Sequence, residues 1–212
     1  VFDVVSTLPE LHTQFAQGSG GVYSAPETGQ SGSWGPRLSD LRYDGATDYP
    51  YDRNGRLVLA GDPSATSQRA NVYDNLGDFY QTGTMVNNAV SISGGNDLAT
   101  FRASISNLNQ EGITPNNTQD RTTFTVGTPL KANEKLNFAA NVNYTRATFT
   151  RIQQGSNTSG VMLGLLRTPP SFDNSNGFGA DAVDNPESYI FADGSQRNYR
   201  GGGGYDNPFW IV

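Results

Sequence analysis

Residues able to do acid–base or nucleophilic chemistry are few and scattered. The only histidine, His12, has no acid and nucleophile near it in sequence, so a hydroxyl–imidazole–carboxylate relay has no local signature. Two carboxylate pairs, Asp40/Asp44 and Asp48/Asp52, lie among Gly, Pro and Asn. Paired carboxylates serve glycoside hydrolysis only at a set separation across a cleft; here turn formation is the simpler role. Asp173-Asn174-Ser175-Asn176-Gly177, with Asp181 and Asp184 beyond, approaches a calcium loop. Its glycine is fifth instead of sixth, and aspartate stands where a bidentate glutamate belongs. Calcium is thus the one ion the pattern approaches; no other metal, no cofactor and no catalytic residue is expected. Gly201 to Gly204 follow no strand and open no helix, which argues against a phosphate cradle.

Aromatic side chains carry the stronger chemical hint. Trp34, Tyr43, Tyr49, Tyr51, Tyr199, Tyr205, Phe209 and Trp210 all fall in segments without regular pattern. Such rings stack on sugar faces or pack on peptides, with Asn, Asp and Gln nearby to bond hydroxyls and amides. They are therefore the candidate contacts for substrate or for a partner protein, the competing role being to pack these segments against one another.

Composition narrows the setting. Hydrophobic residues make up 35% of the 212, a content that does not suit a thick dry core. No cysteine is present, which removes thiolate chemistry and argues against a disulfide-stapled module. A net charge of −6 counts against general nucleic-acid binding, which needs a positive surface. No stretch has the length of a transmembrane helix, and Val1-Phe2-Asp3-Val4-Val5 does not read as a signal peptide.

The elements that would position any site are four alternating runs between Phe79 and Thr150. They cover Val86–Gly94, Thr100–Ser106, Thr122–Thr128 and Leu136–Thr145. Strand side chains point alternately to opposite faces. One face then carries Val90, Ile92, Phe101, Ala103, Ile105, Phe124, Val126, Leu136, Phe138, Ala140, Val142 and Tyr144. The other carries Ser91, Ser93, Arg102, Ser104, Thr123, Thr125, Asn137, Asn141 and Asn143. Between the runs lie a short link at 95–98, a longer one at 107–120 and another short one at 129–135. Residues 1–84 and 151–212 form long irregular segments on either side. Leu8 to Gln17 has the makings of a short helix, Leu57–Ala60 of a strand, and Val161–Leu166 of a short helix or strand. Long, short, medium, short, long is the loop order of a transmembrane barrel. A soluble sheet with one wet face remains the alternative.

Phe79-Tyr80-Gln81-Thr82-Gly83, then Asn88 to Asn96, then Phe101 to Ile113 resemble the SusC/RagA-type TonB-dependent outer-membrane transporters of Bacteroidetes. Ser33-Trp34-Gly35-Pro36 and the Arg121–Phe124 strand entry match the same family in the same order. The resemblance is densest over Trp34 to Tyr144. It implies an all-β fold: an antiparallel transmembrane β-barrel segment, part of a large plugged barrel of about 22 strands. In that arrangement 1–84 is a long segment on the extracellular side, 85–150 supplies four barrel strands in two hairpins, and 151–212 is a long extracellular loop region. It also implies uptake of glycan or peptide fragments, a SusD-like lipoprotein lid, and energy from the TonB complex through parts of the protein outside this sequence. Phe101, Ile105, Phe124, Val126, Phe138 and Val142 would face outer-membrane lipid, and Arg102, Thr125, Asn141 and Asn143 the lumen. Tyr144 and Phe149 would suit an aromatic girdle. Four strands cannot close a barrel, so the chain is expected to be a piece of a longer polypeptide. The alternatives are a soluble or surface-exposed β-sandwich that binds carbohydrate or protein, and an adhesin or scaffold barrel without transport.

Overall fold

The computed structural model describes residues 9–153, 160–175, 189–201 and 203–212. The N-terminal pentapeptide, and Asn176, Gly177, Asp181 and Asp184 of the calcium-like pattern, lie outside the described residues, as does Gly202. Among the described residues the strands pair antiparallel, and the fold is mostly β with one short α-helix and two single-turn 3-10 helices at Pro26–Thr28 and Leu38–Asp40. None of the described helices is long and apolar enough to cross a membrane. The chain divides into two compact units, one of residues 81–152 and one of the segments on either side.

The first unit is a four-stranded meander. Strands β5 (Thr84–Gly95), β6 (Thr100–Glu111), β7 (Thr118–Asn133) and β8 (Leu136–Thr150) pair in sequence order. They are numbered after four short strands of the other unit. Each strand outruns its alternating stretch, because polar residues 107–111 and 118–121 also pair, Asn107 with Thr122 and Asn109 with Asp120. Their side chains bond across the ladder, Asn107 Nδ2 to Thr122 Oγ1 and Asn109 Nδ2 to Asp120 Oδ1. The first connection keeps four residues, at 96–99, while the other two shrink to 112–117 and 134–135, so the three differ in length less than the pattern suggests. Asn96 Oδ1 closes the first turn by accepting the amides of Leu98 and Ala99. Pro129, which has no N–H, pairs with Ala139 of β8 just past Gly127, where the β6 ladder stops. The chain enters β5 and leaves β8 at the same end as the 112–117 connection.

The second unit has little regular structure. β1 (Gly18–Ser19) and β2 (Val22–Tyr23) form a hairpin around Gly20 and Gly21, whose φ values of 59° and 79° are those a two-residue primed turn requires. β3 (Leu41–Tyr43) pairs with β4 (Leu57–Leu59), the strand expected at Leu57. Helix α1 (Val161–Arg167) is the short helix of the C-terminal segment. The helix expected at 8–17 is not formed over its described residues. Phe15 bridges to Arg37, Ala16 N donates to Pro36 O, and Leu38 N donates to Gln14 O. These cross-chain bonds take the backbone groups that a helix would have used internally.

A core of Ala16, Leu38, Leu41, Tyr43 and Leu57 packs with Tyr23 and Ala70. Gly55, at φ 97°, lets the chain pass Asp44: a Cβ there would lie 2.1 Å from Asp44 Oδ1. Elsewhere buried amides do the stitching. Asn75 Nδ2 donates to Phe172 O at 2.8 Å, and its Oδ1 accepts Asn174 N at 2.9 Å. Asn207 Nδ2 donates to Arg197 O at 2.8 Å, and Gln17 Nε2 to Tyr199 O at 2.6 Å. Each is a buried polar group with its partner supplied, the condition for burying it at all.

Candidate functional site

The sheet sets the first candidate surface. Register places Val90, Ile105, Phe124 and Tyr144 in one row, and Ile92, Ala103, Val126 and Val142 in the next. Phe101 and Ala140 follow, then Leu130 with Phe138. Phe101, Ile105, Phe124, Phe138 and Val142 are 43–59% exposed, and Val126 is half-buried. All six lipid-facing candidates therefore share one face. Beyond Tyr144 that face turns polar in the same register across the strands: Asn88, Asn107, Thr122 and Arg146 form a row, then Val86, Asn109, Asp120 and Thr148. Val86 is the one apolar member past the change.

The opposite face holds Ser91, Ser104, Thr125 and Asn143 in one row, with Ser93, Arg102, Gly127 and Asn141 beside them. Thr125 Oγ1 donates to Asn143 Oδ1 at 3.2 Å, and Thr123 Oγ1 meets Thr145 Oγ1 at 3.4 Å. Gly127 leaves room for the Asn141 amide, since a Cβ there would come within 2.6 Å of its Oδ1. Phe149 belongs to this polar face and not to the Tyr144 face, because five residues of regular strand reverse the side chain. Its ring lies 4.7 Å from the Arg151 guanidinium, so only Tyr144 stands where an aromatic girdle was expected.

The eight loop aromatics separate into interior and surface groups. Tyr43, Tyr49, Tyr199 and Phe209 are buried. These four take the competing role and pack the loop segments, held inside by the burial of large rings. Tyr49 donates its hydroxyl to Glu27 Oε2 at 2.8 Å, Glu27 pairs with Arg56 at 3.8 Å, and the Arg56 guanidinium lies 4.6 Å over the Tyr49 ring. Phe209 packs edge-on against Phe79 at 5.0 Å. Burial raises the pKa of Tyr23, Tyr43 and Tyr49 well above the usual tyrosine range, and pushes that of Tyr199 up to about 12. These hydroxyls are neutral near pH 7; that of Tyr49 donates to Glu27 and that of Tyr43 lies 3.4 Å from the Tyr73 hydroxyl.

Tyr51 and Tyr205 are half-buried. Tyr51 meets Phe191 edge-on at 5.9 Å. Tyr205 stacks parallel to Tyr199 at 6.5 Å and carries Arg167 at 4.4 Å and Arg200 at 5.1 Å from its ring centre. Trp34 and Trp210 remain exposed, at 62% and 41%. Trp210 donates Nε1–H to Gly194 O at 3.2 Å, and Trp34 stacks on His12 at 5.0 Å with Phe15 at 5.5 Å.

The acidic candidates serve turns. Asp44 Oδ1 accepts the amides of Ala46 and Arg56 at 2.9 and 2.8 Å. Asp52 Oδ1 accepts Asn54 N and Nδ2, while its Oδ2 faces the Tyr73 hydroxyl at 3.5 Å. Burial raises the Asp52 pKa, against these hydrogen bonds, which lower it. Asp173 Oδ1 accepts both N and Oγ of Ser175, a local turn. Among the described residues no three His, Asp or Glu side chains converge on a metal position. His12 Nε2 lies 3.3 Å from Ser33 Oγ, but its Nδ1 is buried with no hydrogen-bond partner among the described residues. The carboxylate that would orient a relay is not at that nitrogen.

One feature escapes sequence reasoning. A cleft of about 500 Å³ is lined from four separate stretches at 9–13, 33, 72–76 and 165–170. No local pattern joins these stretches; only the tertiary fold does. No protein-family model matches the chain, and no curated protein matches it.

Proposed function

We propose that this chain is part of the barrel wall and outer loops of a SusC-like TonB-dependent transporter in the bacterial outer membrane. The observation that carries the proposal is the registered amphipathicity of β5–β8. An apolar face left uncovered and ending in one register across four long strands suits hydrocarbon better than water. From Leu136 to Tyr144 the apolar side of β8 covers nine residues, or about 27 Å at about 3.4 Å per residue. Tilted by roughly 35–45°, that is about 19–22 Å of depth, close to the apolar band of about 25 Å on outer-membrane barrels. A β-sandwich would cover such a face with a second sheet about 10 Å away; here its large side chains, the half-buried Val126 apart, are 43–66% exposed.

The polar face, with Arg102, Thr125, Asn141 and Asn143, then lines a lumen. Both open edges of the sheet, β5 and β8, need further strands, because backbone groups in lipid must be paired. The family resemblance supplies the rest of the proposal: import of glycan or peptide fragments, a SusD-like lipoprotein lid over the outer mouth, and energy transmitted from the TonB complex. On this reading the chain has no catalytic residue of its own.

Two neighbouring substitutions test it. Val126→Arg puts a charge near the middle of the lipid face, at a cost of about 2–4 kcal/mol. It is expected to remove the protein from the heat-modifiable outer-membrane fraction. Thr125→Arg, one residue away and on the polar face, is expected to assemble normally. Equal tolerance of both arginines contradicts the topology. In an assembled protein, loss of the TonB complex should abolish substrate uptake while leaving assembly intact; uptake that persists points to a pore or scaffold instead.

A further inference from the structure

We propose that the cleft in the loop-rich unit binds a peptide segment that presents an aliphatic side chain next to a lysine or arginine. Its volume of about 500 Å³ falls in the range of small-ligand sites and takes two or three residues. Leu11, Val72, Leu76 and Leu165 form aliphatic walls, with Leu11 and Val72 exposed at the surface and Leu76 and Leu165 buried beneath. These aliphatic side chains suit a leucine-like one; His12 and the half-buried Tyr73 also line the cleft, and maltoheptaose tests the alternative of a sugar stacked on such a ring.

The charges are of one sign. Glu10 and Asp74 line the cleft, both exposed, and among the described residues no lysine or arginine does. Asp78 carries the same field: burial raises its pKa first, then the negative charges of Asp173 and Asp74. An acidic rim around an aliphatic floor attracts a cation carried on an apolar chain and repels an acidic one. The His12 ring also lines the cleft. The inference concerns this cleft alone and does not rest on the membrane proposal.

The cleft wall has a built-in reporter, since Trp34 stacks on His12 at 5.0 Å. The experiment uses the full chain in detergent with Trp210→Phe, so that Trp34 is the sole tryptophan fluorophore. Acetyl-Leu-Lys-Leu-amide is expected to change its emission saturably, and acetyl-Leu-Glu-Leu-amide to bind at least about tenfold more weakly. Glu10→Gln, a substitution at an exposed position, should reduce that preference, and Glu10→Gln with Asp74→Asn should reduce it to under about threefold. About 0.5 M salt should weaken the lysine peptide selectively. Equal binding of the two peptides overturns the proposal. So does the absence of saturation up to about 10 mM peptide, or saturation by maltoheptaose in place of the lysine peptide. None of these outcomes bears on whether β5–β8 sit in a membrane.

Discussion

The two units of this chain hold themselves together by opposite means. In β5–β8 nearly every backbone group between the outer edges is paired along a ladder, yet Leu108 is the one large side chain there with less than a tenth of its surface exposed among the described residues. In the loop-rich unit the strands are two or three residues long. That unit nevertheless holds thirteen of the fourteen buried hydrophobic residues described, from Ala16 to Phe209. Regular secondary structure and a hydrophobic core are usually taken to come together. Here they are apportioned to different parts of one chain. A sheet without a core needs something outside itself against its apolar face, whereas a core without regular structure must satisfy its backbone by other groups. The many Asn, Gln and Ser residues answer the second need, and the lipid proposal answers the first.

The comparison breaks most readily at matched phenylalanines. Phe79 is 1% exposed and packs against Phe209, while Phe138 is 55% exposed on the sheet. Phe79→Ala is expected to destabilise the loop-rich unit by about 3–5 kcal/mol. Phe138→Ala should cost under about 1 kcal/mol in detergent solution. Denaturant titrations followed by near-ultraviolet circular dichroism measure both. Similar losses at the two sites would mean that the sheet face is packed after all.

Matched asparagines give a smaller contrast. Asn75 is buried and bridges Phe172 O and Asn174 N; Asn143 is exposed and accepts one hydrogen bond from Thr125. Asn75→Ala strands two buried backbone groups and should cost about 1–3 kcal/mol. Asn143→Ala should fall within about 0.5 kcal/mol of the parent. Equal effects would show that side-chain amides matter no more in one unit than in the other.

The smallest expected effect is a pH slope confined to the loop-rich unit. Burial raises the Asp52 pKa above its ordinary value of 3.8, so over the interval just above that value the folded state holds more protons than the unfolded one. Stability then declines as pH rises from the ordinary carboxylate value through the raised one. Asp52→Asn, which keeps a hydrogen-bond acceptor but cannot ionise, should flatten this part of the profile of denaturation midpoint against pH. An unchanged slope would assign the titration elsewhere, Asp78 being the other carboxyl among the described residues whose pKa burial raises.

What was legible in the residues follows the same division. The four strands could be read because a period of two is a local pattern, and their alternation places the six apolar residues from Phe101 to Val142 on one face. Strand ends were not legible: Asn107 to Glu111 and Thr118 to Asp120 read as loop, yet pair through Asn–Thr and Asn–Asp contacts that only the register creates. In the loop-rich unit Leu57–Leu59 and the stretch from Val161 were visible as short apolar runs, the second open between helix and strand until its fold showed a helix. The helix expected before Gly18 was not formed, because residues 14–16 bond to residues 35–38, a partner no local pattern predicts. Aromatic content alone could not separate Tyr43, inside, from Trp34, outside. A signal was present in the apolar–polar–apolar alternation of Leu41-Arg42-Tyr43, which pairs with the apolar Leu57-Val58-Leu59. The cleft had no such signal, being assembled from four distant stretches.

The central claim is that β8 presents alternate residues to lipid and to water. The natural absence of cysteine makes a direct measurement possible: single cysteines from Asn137 to Arg146, spin-labelled and reconstituted in bilayers, probed with oxygen and with a water-soluble nickel chelate. The account predicts that positions 138, 140, 142 and 144 favour oxygen, that 137, 139, 141 and 143 favour the chelate, and that the alternation fades at Arg146. Uniform access of the chelate along the strand would contradict it.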